Sequence, residues 1–416
     1  MKNVYVEVSR CRICGSEDLS PVLSLGRQCL TGIFPRSPEE AVASGPLDLV
    51  RCAAPSGAGC GLVQLRQTYD KAEMYGSRYG YRSGLNESMV RHLRETARRI
   101  LARVPLRRGD LVLDIGSNDG TLLSAFPQDG PTLVGMDPTG KNFRSYYPAA
   151  ARLIPEFFSA QRFGAEFPGV KAKVVASVAM FYDLDDPSGF AAEVSGILAA
   201  DGVWLFEQSY LPAMIENNAY DTVCHEHLEY YALKQVLWVT EKAGLKVVDL
   251  EFNDVNGGSF AVMAAHRDSP LPECGAALRT ALAAEAKYDG PGPFRDFRDK
   301  VLRHRDELRA FLARVRGEGR SIAGYGASTK GNVILQFCGI TPKDLPKIGE
   351  VNSEKFGCYT PGTLIPIVPE EAVKAEKPDY LFVLPWHFKD FIMKKEAGYL
   401  GAGGRMFFPL PVPHVP

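Results

Sequence analysis

The segment Leu111-Val112-Leu113-Asp114-Ile115-Gly116-Ser117-Asn118-Asp119-Gly120 constrains the chain more than any other. An apolar run delivers the backbone to a glycine-bracketed turn: a buried strand opening into a loop that glycine lets approach a ligand closely. TLVGMDP, VVASVAM and GVWLFEQSY are further apolar runs of strand length, with helix-like stretches between them. Strand and helix in alternation predict an α/β fold with a parallel sheet, whose ligands bind at the carboxyl ends of the strands. FAVMAAH reads as a late, edge strand.

The turn after the first of these strands indicates the ligand class. The next strand ends in Asp137, followed by Pro138. An acid there can accept hydrogen bonds from both ribose hydroxyls of an adenosyl cofactor, and the same arrangement serves NAD. G-x-G-x-x-G is absent, however, and polar side chains stand where a pyrophosphate needs bare backbone. Asp119 would repel phosphate yet suit the cationic end of S-adenosylmethionine. Asp114, Gly116, Ser117, Asn118, Asp119, Asp137 and Pro138 are therefore the expected cofactor-binding residues. The plain alternative is an α/β turn with no ligand.

The 416 residues suffice for two to four domains at roughly 100–200 residues each. The front, 1–69, is rich in Cys, Gly and Pro and reads as a small loop-and-strand module. Residues 70–266 carry the α/β pattern, starting with helical spacing of Met89, Val90, Leu93, Ile100 and Leu101. Residues 267–316 read as a helical connector broken by DGPGP, and 317–416 as a second, smaller Rossmann-like α/β domain. The net charge of -1, with no long basic run, argues against a nucleic-acid partner. No apolar stretch approaches the roughly 18 residues of a membrane span. The N-terminus lacks the apolar core of a secretory signal, so no membrane partner is expected. Nine cysteines in a chain of this length suggest a cytoplasmic protein with some metal-binding thiols.

Cys11 and Cys14 form C-x2-C, and Cys52 and Cys60 follow as C-x7-C. Four thiolates can close a tetrahedral zinc site that supplies folding energy to a segment too small for a good core. Such a site has no open position and is structural. The alternative is free, partly buried cysteines.

Two stretches carry polar chemistry. Tyr220-Asp221-Thr222-Val223-Cys224-His225-Glu226-His227-Leu228-Glu229-Tyr230-Tyr231 holds two of the seven histidines beside carboxylates. Imidazole takes a proton near neutral pH, and a neighbouring carboxylate can orient it. H-E-H is not the spacing of a zinc protease, and a braced loop is the plain reading. Gly324-Tyr325-Gly326-Ala327-Ser328-Thr329-Lys330-Gly331-Asn332 follows a strand and opens a helix. Its N–H groups, hydroxyls and lysine suit an anion at a helix N-terminus. The alternative is a turn for tight strand–helix packing.

Taken together, the cysteine-rich front with CGLVQL, then LDIGSNDGTLL, GMDP, YDTVCHEHLEYY, NGGSF, GYGASTKGN and YTPGTLIPI, resemble the sugar C-methyltransferases. Those enzymes methylate C3 of a nucleotide-linked 4-keto-6-deoxyhexose in branched deoxysugar pathways, and the resemblance covers nearly the whole chain. It implies a zinc module, a central S-adenosylmethionine-binding domain and a C-terminal α/β domain, with the nucleotide-sugar between the last two. It implies His227 as general base, with Glu226 and His225 positioning it and the substrate, and Tyr79 or Tyr81 lining the sugar pocket. Tyr182, Asn256, Ser328, Lys330 and Asn332 are the expected substrate-binding residues. The chain departs from the family pattern at Cys224, often Tyr; at Phe181, often His; and at Asn256, where the family has HGGS. Competing readings are an O- or N-methyltransferase of the same fold, an NAD-dependent nucleotide-sugar enzyme and a non-catalytic zinc-bearing scaffold.

Overall fold

A computed structural model describes residues 4–53, 59–75 and 81–416. At the front, β1 (Tyr5–Glu7), β2 (Leu19–Cys29), β3 (Ser44–Cys52), β4 (Val63–Leu65) and β5 (Gln67–Tyr69) build two small antiparallel sheets. One pairs β1 with β5; the other runs β2-β3-β4 and is extended by a strand from far along the chain, described below.

The centre is a seven-stranded sheet built from β6 (Leu111–Ile115), β7 (Thr132–Met136), β8 (Ala151–Ile154), β9 (Ala172–Val178) and β10 (Leu198–Ser209). The short β11 (Glu229–Tyr230) leaves this sheet to pair with β4, and β12 (Leu245–Asn253) and β13 (Ser259–His266) return to it. The order is β12-β13-β10-β9-β6-β7-β8, and only β13 runs against the rest. The expected edge strand FAVMAAH is thus β13, second from the edge, and β12 is the edge. The physical reason lies in the burial of that strand. Every position from Ser259 to Ala265 is buried, and an unbroken apolar run is what a strand covered on both faces needs.

Two helices, Gly275–Glu285 and Gly292–Gly317, lead to the last domain. The buried stripe Val301, Leu308, Phe311, Leu312 and Val315 of the longer one joins the C-terminal core, where Phe311 stacks on Phe407 at 3.8 Å. That core surrounds β14 (Ile322–Tyr325), β15 (Ile348–Glu350), β16 (Ile367–Pro369), β17 (Tyr380–Val383) and β18 (Arg405–Phe407). All are parallel, in the order β16-β15-β14-β17-β18. In both α/β sheets the first strand, β6 or β14, sits where the strand order reverses. Its glycine turn therefore opens at the switch point at which such sheets bind ligands. No helix of the described residues is long and apolar enough to cross a membrane.

Candidate active site

The turns after β6, β7 and β9 enclose a cavity of about 360 Å³. Gly116, Ser117 and Asn118 form its floor with Asp114; Asp137, Pro138 and Thr139 form one wall and Met180, Asp183 and Leu184 the other. Gly116 has φ 74, and a Cβ there would meet Met180 Cγ at 3.1 Å, so glycine is what the turn requires. Asp137 fixes the loop: Oδ2 accepts from Asn118 N at 2.8 Å, and Oδ1 from Thr139 N at 2.6 Å. Oδ1 also accepts from Thr139 Oγ1 at 2.6 Å, so the remaining acceptor capacity lies on Oδ2.

Asp119 does not line this cavity. Its carboxylate accepts from Gly84 N at 2.8 Å and from Thr121 Oγ1 at 2.5 Å, holding the Ser83–Leu85 turn over the mouth. Asp114 and Asp183 line it beside Asp137, and burial pushes both of them well above the usual carboxylate range. Nearby acids add to the shift at Asp114, and a bound cation would relieve both. Asp183 accepts from Tyr75 OH at 2.8 Å through Oδ2, while its Oδ1 has no partner among the described residues. Tyr147, whose hydroxyl lies 2.8 Å from Ser117 Oγ and donates to Asn118 O, braces the loop from behind. Sequence reasoning missed Asp183, Tyr75 and Tyr147, which come to the cavity only through the fold. Tyr81 stands half exposed at the rim, its carbonyl accepting from Asn118 Nδ2. Tyr79 lies outside the described residues.

One 3₁₀ turn, Phe181–Asp183, joins this cavity to the histidine stretch. Asp183 faces the cavity, while the Tyr182 ring lies 4.3 Å from that of His227, and Tyr182 O accepts from Leu228 N at 2.7 Å. Phe181 turns the other way, fully buried among Trp204, Phe206 and Tyr231. The departure from the family pattern at this position therefore changes the core.

His227 Nδ1 lies 2.8 Å from Thr222 O. A carbonyl only accepts, so Nδ1 carries the proton and Nε2 holds a lone pair. No partner of Nε2 exists among the described residues. Burial, aided by the Lys330 ammonium, pushes the imidazole down to about 3, so it is neutral at ordinary pH. Glu226, raised by burial, has an Oε2 without a partner among the described residues. His225 has another place. It is fully buried, with Nε2 3.2 Å from Gln28 O and its ring edge-on to Tyr69 at 4.7 Å. It locks the stretch to the N-terminal sheet, which replaces the expected contact with substrate.

The C-terminal domain closes over this stretch. Trp386 Nε1 donates to Asp221 Oδ2 at 2.7 Å. The expected substrate residues are brought together here, but with partners of their own. Ser328 caps the helix Thr329–Phe337, Oγ accepting from Gly331 N. Asn332 Nδ2 donates to Thr31 O, and Lys330 Nζ to Asn256 O at 2.7 Å. Asn256 has φ 56 and leads into Gly257 and Gly258. Asp221 Oδ1, Gln28 Oε1, Asn332 Oδ1 and His387 Nδ1 are buried without partners among the described residues. Such atoms are costly unless a ligand satisfies them.

The ligand atoms of Cys11, Cys14, Cys52 and Cys60 lie within 4.8 Å of one another, with Cys11–Cys60 at 3.4 Å and Cys14–Cys52 at 3.5 Å. Bonds of about 2.3 Å to a tetrahedral zinc place sulfurs roughly 3.8 Å apart, so the cluster fits that ion. The four thiolates fill its coordination. Its role is mechanical: Cys60 O accepts from Gln235 Nε2 at 2.7 Å, and β4 carries the pairing with β11 directly after His227.

The fold and the site define a methyltransferase, whose cofactor S-adenosylmethionine suits the cavity at β6, β7 and β9. Three families match: "Methyltransferase domain" over residues 89–250, "C-methyltransferase C-terminal domain" over 254–411 and "Putative zinc binding domain" over 11–75. The C-methyltransferase NovU of Streptomyces niveus is 32% identical over 426 residues, spanning 100% of this chain and 98% of NovU. The chain belongs to that C-methyltransferase family. Among solved structures, an O-methyltransferase family protein from Burkholderia thailandensis is 18% identical, with a TM-score of 0.34 over 44% of this chain and 59% of its own. The glycopeptide N-methyltransferase MtfA is 16% identical, with a TM-score of 0.33 over 42% of this chain and 93% of its own.

Proposed function

We propose that the enzyme methylates C3 of a nucleotide-linked 4-keto-6-deoxyhexose through an enolate. The observation that carries this reading is His227. It is a neutral imidazole whose Nε2 has no partner among the described residues, separated from the cofactor cavity by one short turn. A 4-keto group acidifies the neighbouring C–H, and a positioned neutral base is what enolisation needs. An acceptor with a nucleophilic oxygen or nitrogen makes less demand on such a base.

S-adenosylmethionine, when bound, supplies an electrophilic methyl group; Asp137 would hold its ribose, and Asp114 and Asp183 its cationic part. His227 Nε2 takes the C3 proton, and Thr222 O holds the ring so that Nε2 faces the carbon. Glu226, Asn332 and Asp221 offer unpartnered polar atoms for sugar hydroxyls. The Phe181–Asp183 turn keeps the base and the methyl donor on adjacent sides of one carbon.

The test is incubation with methyl-labelled S-adenosylmethionine and a panel of nucleotide-linked 4-keto-6-deoxyhexoses, with NMR to locate the label. Label on C3 is expected. Label on C5, the other carbon beside the ketone, keeps the enolate and overturns the position. Label on oxygen or nitrogen overturns the enolate.

A further inference from the structure

At the second glycine turn, Ala327 N donates to Glu350 Oε2 at 2.8 Å, so a carboxylate occupies an N–H that a phosphate would want. Lys330, two residues into the following helix, reaches elsewhere. The helix packs against the Tyr220–Thr222 turn, whose Thr222 carbonyl holds His227. Among the described residues, the Lys330 ammonium has one hydrogen-bond acceptor, Asn256 O, and keeps two N–H groups for others. It lies in electrostatic range of Asp221, His227 and His387, and His387 Nδ1 and Asp221 Oδ1 have no partner among the described residues.

An ammonium next to a base is costly, because it opposes the charge that the base acquires. The arrangement is productive only when a negative charge appears in the same step and the ammonium meets it. We propose that Lys330 is a catalytic residue of enolisation, donating to the ketone oxygen of the substrate while His227 Nε2 removes the proton from the adjacent carbon. The C–H electron pair becomes the carbon–carbon double bond, the carbonyl π pair moves onto oxygen, and the proton ends on His227. No other reagent is needed. The developing oxyanion and imidazolium are opposite charges, and Lys330 stabilises the first where water is excluded. This inference rests on the keto-sugar reading.

The experiment separates enolisation from methyl transfer and from binding. Deuterium uptake from solvent into the nucleotide-linked keto-sugar is followed by NMR, with S-adenosylhomocysteine in the cofactor cavity. Lys330→Met should slow the exchange at saturating sugar by about 100-fold or more, the usual loss for one oxyanion donor. Lys330→Arg should recover part of it. Calorimetric binding of thymidine or guanosine diphosphate alone, whichever the unmodified enzyme binds, should stay unchanged and shows the variants folded. Lys330→Gln keeps an N–H toward Asn256 O and serves where the methionine variant fails to fold. Diphosphate binding that collapses while saturated exchange stays at the wild-type rate would overturn the inference and make Lys330 a phosphate ligand. If the unmodified enzyme exchanges no proton of any keto-sugar, the keto-sugar reading falls and the inference falls with it.

Discussion

At the residue scale the chemistry turns on which nitrogen of His227 is free. Thr222 O accepts a hydrogen bond from Nδ1–H and leaves the lone pair on Nε2, whereas glutamine at 227 can fill the space but cannot serve as a base. His227→Gln should therefore reduce single-turnover methyl transfer by about 10²–10⁴-fold, the range lost with a general base. S-adenosylmethionine affinity, measured by calorimetry, should not move. Full activity in that variant removes the base from the scheme. The pH dependence follows from the same ring. Its pKa is lowered to about 3, so the free enzyme holds a neutral base over the whole neutral range. The kcat/KM profile should then show no histidine limb near the ordinary value of about 6.5. The limb should rise toward it in Lys330→Met, which removes a charge that disfavours protonation. A limb already near 6.5 in the unmodified enzyme would mean that His227 is not buried as the structure has it. Of the site residues, His227, Asp137 and Asn118 were legible because they sit inside compact motifs. Asp183 and Tyr75 were not, since their pairing spans chain positions that no local pattern links. Asp119 misled for a related reason: its charge suited a cation, but the neighbouring Gly84 N–H satisfied it first.

Elements matter here by forcing turns into shape. Asn256-Gly257-Gly258-Ser259 must bring β12 back into β13 while leaving Asn256 O for Lys330. Gly258 has φ 120, and a Cβ there would lie 2.5 Å from Ala213 Cβ. Gly258→Ala combines a disfavoured backbone with a clash against a small side chain that has no rotamer to move. It should lose about 1–3 kcal/mol in urea unfolding, with methyl transfer falling as the Lys330 anchor shifts. An unfolding midpoint equal to that of the parent would show that the turn relaxes freely. The strands β6, β7, β9 and β10 were legible as elements because they are apolar runs of strand length, with Gly116 closing β6 and Asp137 closing β7. The reversed direction of β13 was not, because a run buried on both faces looks alike in either direction.

For the molecule as a whole, the decisive contact joins residues far apart in the chain. β4 pairs with β11, Gln64 opposite Glu229 and Val63 opposite Tyr230. The buried Arg12 lies 3.5 Å from Glu229 and donates to Leu65 O, and Leu65 N donates to Leu228 O. The sequence marks a cysteine module and a histidine stretch but no tie between them, because two-residue strands carry no pattern. The tie makes the cysteine cluster a support for catalysis at a distance. Cys60→Ser removes one of four sulfurs and loosens the segment whose carbonyl holds Gln235. The strand ladder behind His227 should then fray, and the imidazole should lose its fixed aim. The bond from Leu228 N to Tyr182 O ties one wall of the cofactor cavity to that ladder, but the cavity is built chiefly from the turns after β6, β7 and β9. The expected result is a split: S-adenosylmethionine binding close to wild type by calorimetry, zinc content lost by elemental analysis, and methyl transfer reduced by roughly 10²-fold, as for a base moved out of reach. Parallel loss of cofactor binding would mean that the module supports the whole fold. Retained transfer in a zinc-free protein would mean that the ladder stands without the metal.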